Sequence, residues 1–128
     1  MDSERNLIRF DCNSDFSVFG DKILLSSVLY SFLRSALYNI RFNKKGEITI
    51  ATSNEEECNI LSFRDTASGI DPQVCDSIFD LVMPEKFCGS NIGLYFCKKI
   101  VESIGAEIYC ESEYGEYIEF IIEFPKEV

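Results

Sequence analysis

The chain has 128 residues, 46% of them hydrophobic and 13% aromatic, a size and composition that fit one domain over 1–128 with a single packed core. Its net charge of −10 carries no Lys/Arg stripe to offset it, which excludes a nucleic-acid surface and predicts no nucleic-acid partner. No apolar run approaches the ~18 residues of a membrane span, and "MDSERNLIRF" lacks a signal pattern. A soluble, cytoplasmic domain without membrane contact is expected.

In chain order, "LIRFDC" and "FSVFG" read as two short strands around a polar turn. In "DKILLSSVLYSFLRSALYNIRF", Leu25, Val28, Leu29, Phe32, Ala36, Leu37 and Ile40 recur at helical spacing, with Asp21 as N-cap. "GEITIAT" alternates with Ile48 and Ile50 on one face. "CNILSFRD" follows as its antiparallel partner, and the two-residue period puts Leu61, Phe63 and Asp65 on one face. Residues 71–79 predict a short helix with Pro72 in its first turn, and "DLVMPEKFC" a loop. Residues 92–104 predict a second amphipathic helix, with a stripe of Leu94, Cys97, Val101 and Ile104 and with Gly105 just past its end. "AEIYCES" and "YIEFIIEF" alternate as strands about the turn "EYGE". The order is α+β: a two-layer α/β sandwich, its mixed sheet mainly antiparallel, with helices on one face.

Six cysteines stand at 12, 58, 75, 88, 97 and 110, with no CxxC spacing and no histidine, so a zinc site is not expected and free thiols are. The lack of histidine also removes Ser–His and Cys–His nucleophile pairs and any phosphohistidine within this chain.

Three features line up. Asp65 ends a strand on its apolar face, the turn "DTASGI" follows it, and "GSNIGL" opens a later helix. A lone carboxylate beside an apolar wall suits a flat ring with an exocyclic amine, such as adenine. A helix start with small residues suits phosphate, because its unpaired N–H groups and dipole point outward. Each feature alone has an ordinary reading as a turn cap or a tight connection; their order describes a nucleotide pocket.

These residues resemble, from about 20 to 125, the ATP-binding domain of a sensor histidine kinase, in the GHKL ATPase family shared with gyrase, Hsp90 and MutL (the Bergerat fold). "LLSSVLYSFLRSALYNI" is similar to the family's N-box helix, "DTASGI" to its D-x-G-x-G box and "IFDLVMPEKF" to its "IF-x-PF" segment and short ATP lid. "GSNIGLYFCKKIVESIGAEIYCESEYGEYIEFIIEFP" is similar to the second glycine box and the helix and strands C-terminal to it. The helix end and the "YIEF" ending resemble kinases for α-hydroxyketone quorum signals.

The resemblance implies ATP and Mg²⁺ as ligands. It implies Asp65, Ala67, Gly69 and Ile70 around the adenine, and Gly89, Ser90, Asn91, Gly93 and Leu94 at the phosphates, with Lys86 as a lid cation. It implies a separate dimerisation and phosphoacceptor segment and a response regulator as partners. Four positions depart from the pattern. Ser35 replaces the Mg²⁺-holding asparagine, and Ser31 stands one turn earlier. Asn39, one turn later, would have to reach ~6 Å along the axis to substitute as a metal ligand. Ala67 replaces a glycine, which costs ~1–2 kcal/mol if φ is positive there. Asn91 replaces the middle glycine, and Ile118 a Ser/Thr that holds adenine through water. Three readings stay open: a working kinase domain passing phosphate to a histidine elsewhere, a degenerate domain kept as a regulatory protein-interaction module, or a serine kinase or anti-sigma factor of the same fold.

Overall fold

The structure is a computed structural model that describes residues 8–12, 21–67, 69–75, 77–80 and 91–126, with 11, 12 and 91–93 by backbone alone. The expected second strand, "FSVFG", lies outside these residues. Helix α1, Lys22–Asn43, starts where the Asp21 carboxylate accepts from the N–H groups of Ile23 (2.8 Å) and Leu24 (3.2 Å). That cap satisfies two of the N–H groups that a helix start leaves without partners. At the other end Lys44 takes a left-handed φ of 58° and its N–H bonds Ile40 O at 2.7 Å.

Val28, Phe32, Ala36 and Ile40 form the buried stripe of α1, with Leu25, Leu33 and Leu37 partly buried beside it. Leu29, expected in the stripe, is exposed, since the angular step of a helix turns it past the edge of the sheet contact. Contrary to the sequence expectation, α1 has the length and apolar composition of a membrane span. In this fold its stripe lies on the sheet.

The sheet contains β1 (Ile8–Cys12), β2 (Ile48–Asn54), β3 (Cys58–Asp65), β4 (Glu107–Glu113) and β5 (Tyr117–Pro125) in the order β1-β2-β3-β5-β4. β1 runs parallel to β2; the other three pairings are antiparallel. Two short helices complete the covered side: α2, Pro72–Cys75, and α3, Asn91–Ser103. α2 is shorter than the 71–79 expected. Asp71 caps it through Gln73 N–H, and the turns at 77–79 bury Ile78 and Phe79. α3 ends as expected, with the N–H groups of Gly105 and Ala106 bonding back to Glu102 O and Val101 O.

Register sets the core in rows. One row runs Ile50, Phe63, Phe120, Cys110 across the sheet. Phe32 of α1 stacks on Phe120 at 4.6 Å and tilts against Phe63 at 5.7 Å, and Phe79 tilts against Phe120 at 6.0 Å. Aromatic contacts of this kind add about 0.5–1.5 kcal/mol each beyond their buried area. The next row runs Ile48, Asp65, Ile118, Ser112. Strand periodicity therefore carries the apolar face of β3 to its last residue, and that residue is an acid.

Candidate nucleotide site

Asp65 is 3% exposed. Its row neighbours Ile48 and Ile118 and the nearby Ala67 are all buried, so one wall is fully apolar. Asp65 Oδ1 accepts the Ala67 N–H at 3.1 Å, and the side chain also takes a hydrogen bond from Asn39 of α1. Burial wins over these two donors and pushes the carboxyl up to about 6 from its ordinary 3.8. A carboxylate offers about four acceptor positions. Two are used internally, so acceptor capacity remains for a donor such as an exocyclic amine.

The turn after Asp65 is held from two sides. Thr66 N–H bonds Glu47 O at 3.0 Å, and Glu47 N–H bonds Thr66 Oγ1 at 2.9 Å. On the other side Ser112 of β4 accepts the Ile70 N–H at 2.6 Å. Its hydroxyl proton has two acceptors in reach, Ile70 O at 2.9 Å and Tyr117 O at 2.7 Å. Gly69 passes between these groups with φ of +69°; a Cβ there would lie 2.2 Å from Glu113 O and 2.4 Å from Tyr117 O. The turn is thus clamped between the start of β2 and the β4–β5 hairpin.

Ala67 sits in the core with no exposure, and Lys44 is the only non-glycine residue with positive φ among the described residues. Alanine at this position therefore carries no left-handed backbone strain. Ile118 is 2% exposed and packed in the core. Ile70 is half-buried and packs on the core edge.

Ser31, Ser35 and Asn39 are all half-buried and follow each other by one turn along α1. The two ends of this row are tied to other elements. Asn39 bonds Asp65, while Ser31 bonds the buried Cys97 thiol of α3, which also donates to Val28 O at 3.9 Å. Asn39, one turn beyond Ser35 along α1, thus stands at the carboxylate end of the row. Ser35 lies between the two ties, with a hydroxyl as its one hard-oxygen donor for a cation such as Mg²⁺.

Lys86, Gly89 and Ser90, expected at the phosphates, lie outside the described residues. Asn91 and Gly93 are the first and third residues of α3, one residue earlier than the helix was expected to start. Asn91 thus opens the helix itself, where the family pattern of the loop would put a glycine turn. Leu94 is buried in the core, so the contribution open to it at a ligand is its backbone.

Two contributors are absent from the sequence expectations: Ser112, which anchors the turn, and the Asn39–Asp65 bond. Ser112 had a signal, since it is a polar residue at a core-facing position of the alternation Ile108, Cys110, Ser112. The Asn39 contact had none, because it joins residues far apart in sequence on different elements.

A family profile described as histidine kinase-, DNA gyrase B- and HSP90-like ATPase matches residues 20–128. The chain is 34% identical over 119 residues to the autoinducer 1 sensor kinase/phosphatase LuxN of Vibrio campbellii, covering 92% of this chain and 14% of that protein. It is 29% identical over 126 residues to the CAI-1 autoinducer sensor kinase/phosphatase CqsS of Vibrio cholerae, covering 97% and 18%. The chain therefore spans less than a fifth of the length of these relatives. Among solved structures, the catalytic domain of histidine kinase ThkA superposes with a TM-score of 0.80 at 23% identity, over 98% of this chain and 84% of that one. Full-length ShkA in complex with AMPPNP gives 0.76 at 22%, over 92% and 25%. With the profile covering most of its length and the sheet order and helices in place, the chain belongs to the histidine kinase-, DNA gyrase B- and HSP90-like ATPase family, as an ATP-binding domain of the sensor histidine kinase type.

Proposed function

We propose that this domain binds ATP with the adenine amine on Asp65, and serves a cytoplasmic phosphoryl transfer to a histidine on a separate dimerisation segment, with a response regulator downstream. The observation that carries this reading is the buried Asp65 carboxylate, set in an apolar row with acceptor capacity left over. Ala67, Gly69 and Ile70 shape the ring's surroundings, the Asn39 bond orients the carboxylate, and the 89–94 segment and Lys86 are assigned to the phosphates. Ser35 would hold Mg²⁺, which would supply charge neutralisation at the phosphate oxygens. The chain's own part is positioning: it fixes the ring at one end of the α1 face and keeps water from the carboxylate. The relatives that are autoinducer sensor kinases support a role in signalling between cells.

Calorimetry of ATP and ADP, with and without Mg²⁺, on the wild type and Asp65→Asn tests the proposal. Binding that drops at least ~10-fold in the variant, as expected for a lost charged acceptor, supports it. Affinity should also decline as pH falls below about 6, where Asp65 takes up its proton. Equal binding by both proteins would place the ring elsewhere. The degenerate reading retains two supports, the short Ser35 hydroxyl and the buried apolar Ile118. It predicts no nucleotide binding at millimolar concentration and no gain in Mg²⁺ dependence from Ser35→Asn.

A further inference from the structure

Cys75 of α2 is buried, and Cys110 of β4 is half-buried and faces it, with the two Sγ atoms 3.3 Å apart. Both are thiols. A disulfide bond is ~2.05 Å long, so the sulfurs need to close by about 1.2 Å. We propose that Cys75 and Cys110 form a dithiol site that a low-molecular-weight disulfide of the glutathione class oxidises to an intramolecular bond, clamping α2 to β4.

The reaction balances as thiol–disulfide exchange. The thiolate of the more exposed Cys110 attacks one sulfur of the small disulfide, and one small thiolate leaves. The thiolate of Cys75 then attacks Cys110 Sγ and expels the second. The two protons lost by the cysteines end on the two released thiols, so the pair is oxidised and the small disulfide reduced.

The other described thiols are poor competitors. Cys97 is 1% exposed, and burial pushes its thiol up to about 11, far from the thiolate form that reacts. Cys58 lies at the far end of β3; desolvation, and then the carboxylates of Glu123, Glu55 and Glu57, raise its thiol. The position of the pair gives the bond a consequence. Cys110 stands two residues before Ser112 on the same face of β4, and Cys75 five residues after Ile70. The bond would run parallel to the Ser112–Ile70 hydrogen bonds and add a covalent tie to the segment leading from the Asp65 turn toward α3. This inference does not depend on nucleotide binding.

The test treats the folded 128-residue chain with oxidised glutathione, traps remaining thiols by alkylation and maps the peptides by mass. The expected result is a loss of two hydrogens and a dominant Cys75–Cys110 peptide, formed at least ~10-fold faster than any other pair, since the fold holds these sulfurs at high effective concentration. The melting temperature should rise and return to its starting value on reduction. Cys75→Ser and Cys110→Ser should each lose both the linked peptide and the rise. A lasting mixed disulfide with glutathione, linkage through Cys12 or Cys88, or dimers joined between chains would each overturn the proposal. The wild-type map decides it even if a serine variant fails to fold.

Discussion

Burial sets the Asp65 carboxylate against the stability of the fold. The carboxyl titrates near 6 in the fold, above the ordinary 3.8 of the unfolded chain. Between those values the native state holds more protons than the unfolded state, so stability falls as pH rises through that window and is level above it. The difference amounts to about 3 kcal/mol. Asp65→Asn should flatten this slope and be more stable than the wild type at pH 7, by up to about 3 kcal/mol. Urea titrations at several pH values would check it, and a variant with an unchanged slope would contradict it. Gly69 is constrained in the opposite sense. A methyl group there meets two carbonyl oxygens at 2.2 and 2.4 Å on a left-handed backbone. Gly69→Ala should lose about 3 kcal/mol or more, seen as a lower urea midpoint with the turn displaced.

Elements are tied to one another through single polar contacts at their ends. The β4–β5 hairpin reaches the Asp65 turn through Ser112, whose hydroxyl serves Ile70 and Tyr117 together. Ser112→Ala leaves the half-buried Ile70 N–H without its partner, and a loss of about 1–3 kcal/mol is expected. Hydrogen exchange at the Ile70 amide should speed up while that of β2 stays unchanged, which separates loosening of the turn from global unfolding. α1 is joined in the same manner, by Asn39 to β3 and by Ser31 to α3, so its polar face spans the candidate site from the carboxylate end toward α3.

Over the whole molecule the charge of −10 produces self-repulsion. Two ion pairs among the described residues, Arg64–Glu119 at 3.3 Å and Arg9–Glu47 at 3.8 Å, each have an exposed partner. Such pairs contribute little. Raising salt from about 0.02 M to about 0.3 M at pH 7 should therefore raise the melting temperature, because screening relieves repulsion more than it weakens these pairs. A fall on adding salt would mean that surface pairs outweigh the net charge.

Whatever depends on local periodicity was legible in the residues themselves. Alternation in "CNILSFRD" placed Asp65 on an apolar face, the 3.6-residue pattern found α1 and α3, and Asp21 and Gly105 marked two of their ends. The glycine turns pointed to the family because their spacing survives substitution at single positions. Folding in three dimensions settled what those residues meet. Strand register set Asp65 between Ile48 and Ile118, which is what desolvates it. The width of the sheet contact left Leu29 outside it, and folding put Ala67 at an ordinary φ and brought Asn39 to Asp65, Ser112 to Ile70 and Cys75 to Cys110. The last three are contacts between residues distant along the chain. Local spacing says which face a side chain occupies, and only the docking of faces says which group waits there.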